Sequence, residues 1–154
     1  MKKLLLLPLF LSGSILGFAA TPAGAPTAPA TTVSGVPDAV ASGFLTYMKE
    51  GYATAVEFWS KGSSLNLDSA AKTALNKSLS DEENIAGTFV APEIIRVVNL
   101  SPSSLLVYIF GKYQRGGLYM CFACYKTSDK WLVTSVASDA DPAKVLPTNI
   151  LAGL

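Results

Sequence analysis

Apolar residues recur at helical spacing in the first half of the domain that begins at Pro37. Between Pro37 and Gly51 they fall at i, i+4, i+7 and i+8, so they share one face of a predicted helix that the glycine ends. These residues are Val40, Phe44, Tyr47 and Met48. A second helix is predicted directly afterwards, because a new stripe appears at i, i+3, i+4 and i+7 before Lys61-Gly62. This stripe consists of Tyr52, Ala55, Val56 and Trp59.

A third helix is predicted from Asp68, a suitable N-terminal cap, through Leu79. The next residues, Ser80-Asp81-Glu82-Glu83, have the pattern of a capping box, with serine at the cap and glutamate three positions later. They therefore predict a separate short turn that ends at Gly87. We interpret the acidic triplet as part of this cap, and no metal site is predicted.

The pattern changes to that of strands after Gly87. Four runs rich in β-branched and aromatic residues are separated by turn-forming residues, among them the hairpin signal Gly116-Gly117. The predicted strands are 93–98, 105–113, 118–126 and 131–137. Their short connections indicate an antiparallel meander, and Asp141-Pro142 begins a last helical turn. The chain therefore predicts an α+β fold, in which N-terminal helices pack on a curved four-stranded antiparallel sheet.

The two central strands are apolar on both faces. Alternate residues of a strand point in opposite directions, and both sets are apolar in residues 105–110 and 119–125. A sheet with one face in water normally alternates between polar and apolar residues. We therefore expect a second copy of the chain to cover the second face, forming a homodimer. The residues assigned to this dimer face are Val107, Ile109, Met120 and Phe122.

The N-terminus has the three parts of a secretory signal. Lys2 and Lys3 precede an apolar stretch, and small residues follow at candidate cleavage sites near Ala19 and Ala25. We predict a signal peptide over residues 1–20, an Ala/Pro/Thr-rich disordered spacer over 21–36, one domain over 37–147 and a tail over 148–154. The expected location is the bacterial periplasm or the extracellular space, with a membrane contact only through a retained signal segment.

Composition excludes several classes of function. The chain contains no histidine, which removes Ser-His-Asp and Cys-His nucleophile systems and the usual histidine-containing zinc sites. Its 12 basic and 11 acidic residues are nearly balanced, with Lys2 and Lys3 belonging to the signal segment. Because nucleic acid binding needs clustered Lys and Arg, no nucleic acid partner is predicted. No cofactor is predicted either.

Cys121 and Cys124 form a C-x-x-C sequence, which invites a redox interpretation. Redox motifs of this type begin a helix, whereas these cysteines lie within a predicted strand. A strand separates their Cα atoms by about 10 Å, beyond the roughly 4.4–6.8 Å that a disulfide spans. We therefore interpret both as buried free thiols that act as small apolar side chains.

Six residues are candidates for lining a ligand pocket. Five of them are aromatic, and the sixth is an arginine beside Gly116-Gly117 that is placed to hold an anion. The six are Tyr47, Trp59, Tyr108, Tyr113, Arg115 and Trp131. The alternatives are that the aromatic residues form plain core and that the arginine is solvated on the hairpin.

Two groups of residues carry a resemblance to a known family. They are residues 44–45, residues 49–52 and Ala55 in the helices, and residues 113–116, residues 122–126, Trp131 and residues 139–142 in the later part of the domain. The first group resembles the start of the nuclear transport factor two-like superfamily, and the second resembles its small exported bacterial members. The resemblance covers roughly residues 37–147 and implies the cystatin-like α+β fold shared with ketosteroid isomerases and polyketide cyclases.

Enzymes of this superfamily place a carboxylate base and polar partners in a pocket between sheet and helices. No catalytic residue is carried over to this chain. The histidine used by many cyclases is missing, and no aspartate lies clearly inside a predicted strand. Asp139 and Asp141 come at a strand end, where turn and cap roles are the usual ones.

Three hypotheses about function follow. The first is a non-catalytic exported domain that dimerises through its sheet and binds a small molecule or an envelope partner. The second is an isomerase- or cyclase-like enzyme that uses a tyrosine and a carboxylate such as Glu57 or Glu93. The third is a purely structural module whose pocket has collapsed. We prefer the first because the sheet is apolar on both faces, histidine is missing and the spacer is long.

Overall fold

Helices come first in the described part of the chain, and one sheet follows. The computed structural model describes residues 35–66 and 68–153. The predicted signal peptide, and the predicted spacer except for its last two residues, lie outside the described residues. None of the helices within the described ranges is both long enough and apolar enough to cross a membrane.

Three helices form the N-terminal layer of the domain. They are α1 (Asp38–Glu50), α2 (Tyr52–Ser60) and α3 (Ser69–Ala86), and a 3₁₀ turn at Ser64–Asn66 precedes α3. Gly51 separates α1 from α2 as predicted, and its φ of 87° is a conformation that glycine adopts far more readily than other residues. The carboxylate of Asp68 accepts a hydrogen bond from the backbone N–H of Ala71 at 2.9 Å, which confirms the predicted cap of α3.

Helix α3 is longer than the sequence pattern predicts. Ser80 lies inside it, so the prediction that residues 80–83 begin a separate turn is wrong. Leu75, Leu79 and Ala86 are all buried, at spacings that keep them on one face of the helix. Burial of this continuous stripe outweighs the local capping signal.

Four antiparallel strands form one sheet in the order β1-β2-β3-β4. They are β1 (Phe89–Ser101), β2 (Ser104–Tyr113), β3 (Gly117–Lys126) and β4 (Trp131–Asp139). The predicted meander and the α+β class are therefore confirmed. Strand β1 begins at Phe89 rather than Glu93 and runs through Pro92, which an edge strand tolerates because one of its sides needs no backbone donor.

The helical layer covers one face of the sheet, here called the inner face. Every second residue of β2 from Leu105 to Tyr113, and of β3 from Leu118 to Cys124, points into this face and is buried. The apolar residues among them are Leu105, Val107, Ile109, Tyr113, Leu118, Met120, Phe122 and Cys124. Phe44 of α1 and Trp59 of α2 meet Phe122 edge-on, with ring centroids 5.4 and 5.0 Å from its own. The main core therefore lies between α1, α2 and the inner face.

The four residues predicted to form a dimer face belong to this core. Val107, Ile109, Met120 and Phe122 have no exposed surface, because the helices of the same chain cover them. Their assignment to a dimer face is therefore wrong. Apolar residues on both faces indicate that both faces are covered, but they do not indicate which face the helices take.

The opposite face of the sheet, here called the outer face, meets the end of the chain. A C-terminal segment, residues 142–151, contains a 3₁₀ turn at Pro142–Lys144 and the short helix α4 at Thr148–Leu151. The carboxylate of Asp141 accepts a hydrogen bond from the N–H of Ala143 at 3.0 Å. This contact confirms the predicted start of a last helical turn.

The C-terminal segment packs on the outer face through two buried side chains. Leu146 and Ile150 form a second apolar cluster with Tyr108 of β2, and Val98 of β1 packs against it. The folded domain therefore extends past the predicted boundary at residue 147, because Ile150 is as buried as residues of the main core.

Candidate functional site

Three of the six predicted pocket residues fill the core. Tyr47, Trp59 and Tyr113 are almost fully buried. The ring of Phe89 stacks on Tyr47 with centroids 4.2 Å apart and meets Tyr113 edge-on at 5.4 Å. Trp59 donates a hydrogen bond from Nε1 to the carbonyl oxygen of Val40 at 3.3 Å. These aromatic side chains therefore pack against one another between the helices and the inner face.

A pair of tyrosine hydroxyl groups adds a polar contact to this core. Tyr47 lies on α1 and Tyr113 ends β2, and their hydroxyl oxygens are 3.1 Å apart. Burial, together with this hydrogen bond, raises the pKa of Tyr47 far above its ordinary value, and the nearby carboxyl group of Glu83 adds to the increase. Burial also raises the pKa of Tyr113 to about 12. Both phenols are therefore protonated at neutral pH.

The other three predicted pocket residues lie in different parts of the domain. Tyr108 is on the outer face, in the cluster with the C-terminal segment. Arg115 donates from Nη2 to the carbonyl oxygen of Ile85 at 3.1 Å, which connects the β2–β3 hairpin to the end of α3. Trp131 begins β4 and is half-buried, with the ammonium nitrogen of Lys126 5.9 Å from its ring centroid. The structure does not bring the six residues into one site.

The carboxylates suggested for an enzyme lie on the surface in ion pairs. Glu57 pairs with Lys72 at 2.6 Å and Glu93 pairs with Lys112 at 3.1 Å, and both glutamate side chains are more than half exposed. The carboxyl groups that do lie near the core tyrosines are those of Glu83, which acts on Tyr47 and Tyr113, and Glu82, which acts on Tyr113. From the sequence, Glu83 is not identified as a candidate site residue, because the capping-box interpretation assigns this glutamate to the start of a helix.

The two cysteines are free and belong to different clusters. Cys124 lies in the main core, and Cys121 is half-buried against the second apolar cluster, that of Tyr108, Leu146 and Ile150. Burial raises the pKa of Cys124 to about 12 and raises the pKa of Cys121 as well. Reactive thiols have lowered pKa values, so this environment suits small apolar side chains. Within residues 35–66 and 68–153, no group of three or more acidic or cysteine side chains is arranged to hold a metal ion.

The apolar surface of the outer face continues beyond the C-terminal segment. Strand register places Ala123 opposite Leu106 and Tyr125 opposite Leu132, so their side chains share the outer face. Tyr125 is 51% exposed, and the other three are partly exposed. These four residues are called the outer patch.

Sequence reasoning missed an exposed aromatic side chain on α2. Phe58 lies outside the buried stripe of this helix and is 40% exposed. Two surface depressions, with volumes of about 580 and 330 Å³, share Phe58 as a lining residue. The available signal was an aromatic residue next to Glu57, on the polar side of the predicted stripe.

Comparison with known proteins finds no relative of this chain. The chain matches no family model, no curated protein and no solved structure. The resemblance to the nuclear transport factor two-like superfamily therefore stays a prediction. The architecture is that of an α+β domain, with N-terminal helices on an antiparallel four-stranded meander.

Proposed function

We propose that the protein is an exported, non-catalytic domain that forms a homodimer through the outer face of its sheet. The observation that carries this proposal is the outer patch. Its apolar side chains continue a surface that Leu146 and Ile150 cover elsewhere, yet Tyr125 remains half exposed. Exposed apolar surface that adjoins a covered apolar surface is typical of an interaction site.

The shape of the outer face suits a second copy of the same sheet. Across β3 and β4, Cys121 is opposite Ala137 and Ala123 is opposite Ser135, so small side chains lie on the outer face next to the larger Tyr125 and Leu132. Small side chains allow two sheets to approach face to face at about 10 Å. In a two-fold dimer the same patch meets itself, so one surface is sufficient for closure.

The filled space between the helices and the inner face supports a non-catalytic role. In related folds, as the resemblance implies, that space holds the substrate. Here the rings of Phe44, Trp59 and Phe122 occupy it, and each ring centroid is within 5.4 Å of another. We infer that binding takes place on the surfaces of the domain.

Native mass spectrometry of the exported chain, with sedimentation analysis at about 10–50 μM, tests the proposal. We expect a dimer, and we expect Ala123→Arg to convert it to a folded monomer because a charge would then stand in the interface. Ala74→Arg is the matched control, since Ala74 is exposed on α3.

Two results would contradict the proposed dimer. One is a wild-type chain that remains monomeric throughout this concentration range. The other is a dimer that Ala123→Arg and Ala74→Arg weaken equally, because the interface would then lie elsewhere. A monomer would favour the purely structural alternative. The same spectra report the mass of the mature chain, and an uncleaved N-terminus would contradict the predicted processing.

A further inference from the structure

The C-terminal segment covers the surface around Tyr108 on the outer face. Leu146 and Ile150 are buried there with Tyr108, and Cys121, the partner of Tyr108 across β2 and β3, packs against them. Leu106 belongs to the outer patch and packs against the same cluster. The covered surface and the outer patch are therefore continuous.

The outer patch alone is too small for a stable dimer. It contains four side chains, of which only Tyr125 is as much as half exposed. A stable protein–protein interface buries about 800 Å² and roughly 20–30 residues on each partner. A stable dimer therefore needs the apolar surface beside the patch as well, which lies in the cluster with the C-terminal segment. The strand residues packed against that cluster, besides Leu106, are Ile95, Val98, Tyr119 and Cys121.

The C-terminal segment and a second sheet cannot both lie over Tyr108. Two sheets pack face to face at about 10 Å. A helix with its side chains is itself roughly 10–12 Å thick, and α4 packs on this surface through Ile150. A second sheet therefore reaches Tyr108 only when the segment has left.

Few contacts hold the C-terminal segment in place. Leu146 and Ile150 are its buried side chains, and Val145 and Leu151 are partly buried beside them. Lys144 pairs with Asp139 at 3.0 Å, but the lysine side chain is 64% exposed, and an exposed ion pair adds little to stability. The segment can therefore detach while the helices stay packed on the inner face.

We propose that the C-terminal segment is an intramolecular cover that competes with the second copy of the chain for the outer face. This inference rests on the proposed dimer and adds a means of regulating it. Because only the detached form offers the whole face, the apparent Kd of the dimer rises as the detached fraction falls. In the monomer, the same cover keeps apolar surface out of water.

The test compares two neighbouring substitutions in the full exported chain. Ile150→Asp places an unpaired carboxylate against the apolar outer face, so the segment should detach. Asn149→Asp is the matched control, since it adds the same charge at an exposed position of α4. In sedimentation analysis, Ile150→Asp should dimerise about tenfold more tightly than the wild type, and Asn149→Asp should dimerise as the wild type does.

Labelling with N-ethylmaleimide measures detachment independently of the dimer. At about 1 μM, where the monomer should predominate, Cys121 should react faster in Ile150→Asp than in Asn149→Asp. Cys124 lies in the main core and should react slowly in both. If Cys124 also reacts fast, Ile150→Asp has unfolded, and the comparison passes to the milder Ile150→Ala, for which we expect roughly threefold tighter dimerisation.

The outcomes separate the cover from the dimer. A wild-type dimer that Ile150→Asp does not tighten, or equal Cys121 labelling in the two variants, overturns the cover and leaves the dimer standing. If Ala123→Arg added to Ile150→Asp fails to give a monomer, the tightening comes from another surface and the cover is overturned. A chain that is monomeric both as wild type and as Ile150→Asp contradicts the dimer, and the cover with it. A wild-type monomer that Ile150→Asp converts to a dimer supports the cover.

Discussion

The inner and outer faces of the sheet are both apolar along the central strands, but they are covered in different ways. Helices α1, α2 and α3 cover the inner face, and the Phe44 and Trp59 rings pack edge-on against Phe122. A short C-terminal segment covers part of the outer face, mainly through Leu146 and Ile150. The comparison shows that an apolar strand face requires a cover but does not determine where the cover comes from.

The helical layer and the C-terminal segment should also differ in their stability against local unfolding. The inner face forms one cluster with α1, α2 and α3, so it opens only when the domain unfolds. The C-terminal segment contributes few buried side chains, and it can detach without disturbing the helices. Substitutions on the two faces should therefore have different sizes of effect and different patterns of hydrogen exchange.

The largest effect is expected from Phe122→Ala on the inner face. Its ring has no exposed surface and contacts Phe44 and Trp59, so the free energy of unfolding should fall by about 3–5 kcal/mol in urea denaturation. Cys121→Ala, one residue earlier on the outer face, is the matched control and should cost about 1 kcal/mol. Equal costs for the two variants would contradict the difference between the faces.

A smaller effect is expected from Ile150→Ala in the C-terminal segment. Ile150 is buried against the outer face, but detachment of the segment limits the loss to about 1–2 kcal/mol. Hydrogen exchange should show faster amide exchange at residues 145–151 and unchanged exchange in α1. If α1 exchanged faster by the same factor, the segment and the main core would be one cooperative unit.

Tyr113→Phe should cost about 1 kcal/mol at neutral pH, because the Tyr47 hydroxyl loses its buried partner at 3.1 Å. The pKa of Tyr113 rises from its ordinary value of 10.0 to about 12 in the folded state. The folded state therefore holds the Tyr113 proton more tightly than the unfolded chain does. The stability that the protonated phenol gives the fold is complete below pH 10 and is lost as the pH rises towards 12.

Urea denaturation between pH 8 and 11 measures this dependence. The wild type should lose stability with rising pH, and Tyr113→Phe should lose less over the same interval. Some loss should remain in the variant, because burial also raises the pKa values of Tyr47 and Cys124. If the free energy of unfolding fell with pH at the same slope in the wild type and the variant, ionisation of Tyr113 would not destabilise the folded state.

The sequence predicts the elements of this fold well where their signal is local and strong. The stripes of α1 and α2, except for the exposed Met48, follow from spacing alone, and the break at Gly51 and the cap at Asp68 follow from backbone chemistry. The capping-box prediction at Ser80 is wrong because a buried stripe, which depends on tertiary packing, overrides a short local motif. Local chemistry therefore predicts a helix boundary correctly only where no buried stripe continues through it.

Sites were harder to predict than elements, because they depend on which surfaces meet. Tyr47 and Trp59 share the aromatic composition of a pocket wall, yet only packing shows that they fill the space instead. Val107 and Phe122 were placed on the wrong face because strand alternation separates two sets of residues without telling which set faces the helices. Phe58 was missed because a single aromatic residue off the stripe carries little information by itself.

The smallest effect is expected where the C-terminal segment begins. The Asp139 carboxylate accepts hydrogen bonds from the Asp141 N–H at 2.9 Å and from the Lys144 ammonium group at 3.0 Å, and these contacts lower the pKa of Asp139 below its ordinary value of 3.8. The contribution of this carboxylate is therefore present above pH 3.8 and is lost as the pH falls through the lowered pKa. As this contribution is lost, the amides of residues 145–151 should lose protection from hydrogen exchange. The amides on the inner face should keep their protection. Asp139→Asn should remove this pH dependence and leave the protection of α1 unchanged. A wild-type segment whose protection does not change between about pH 6 and pH 2 would show that apolar packing by Leu146 and Ile150 holds it alone.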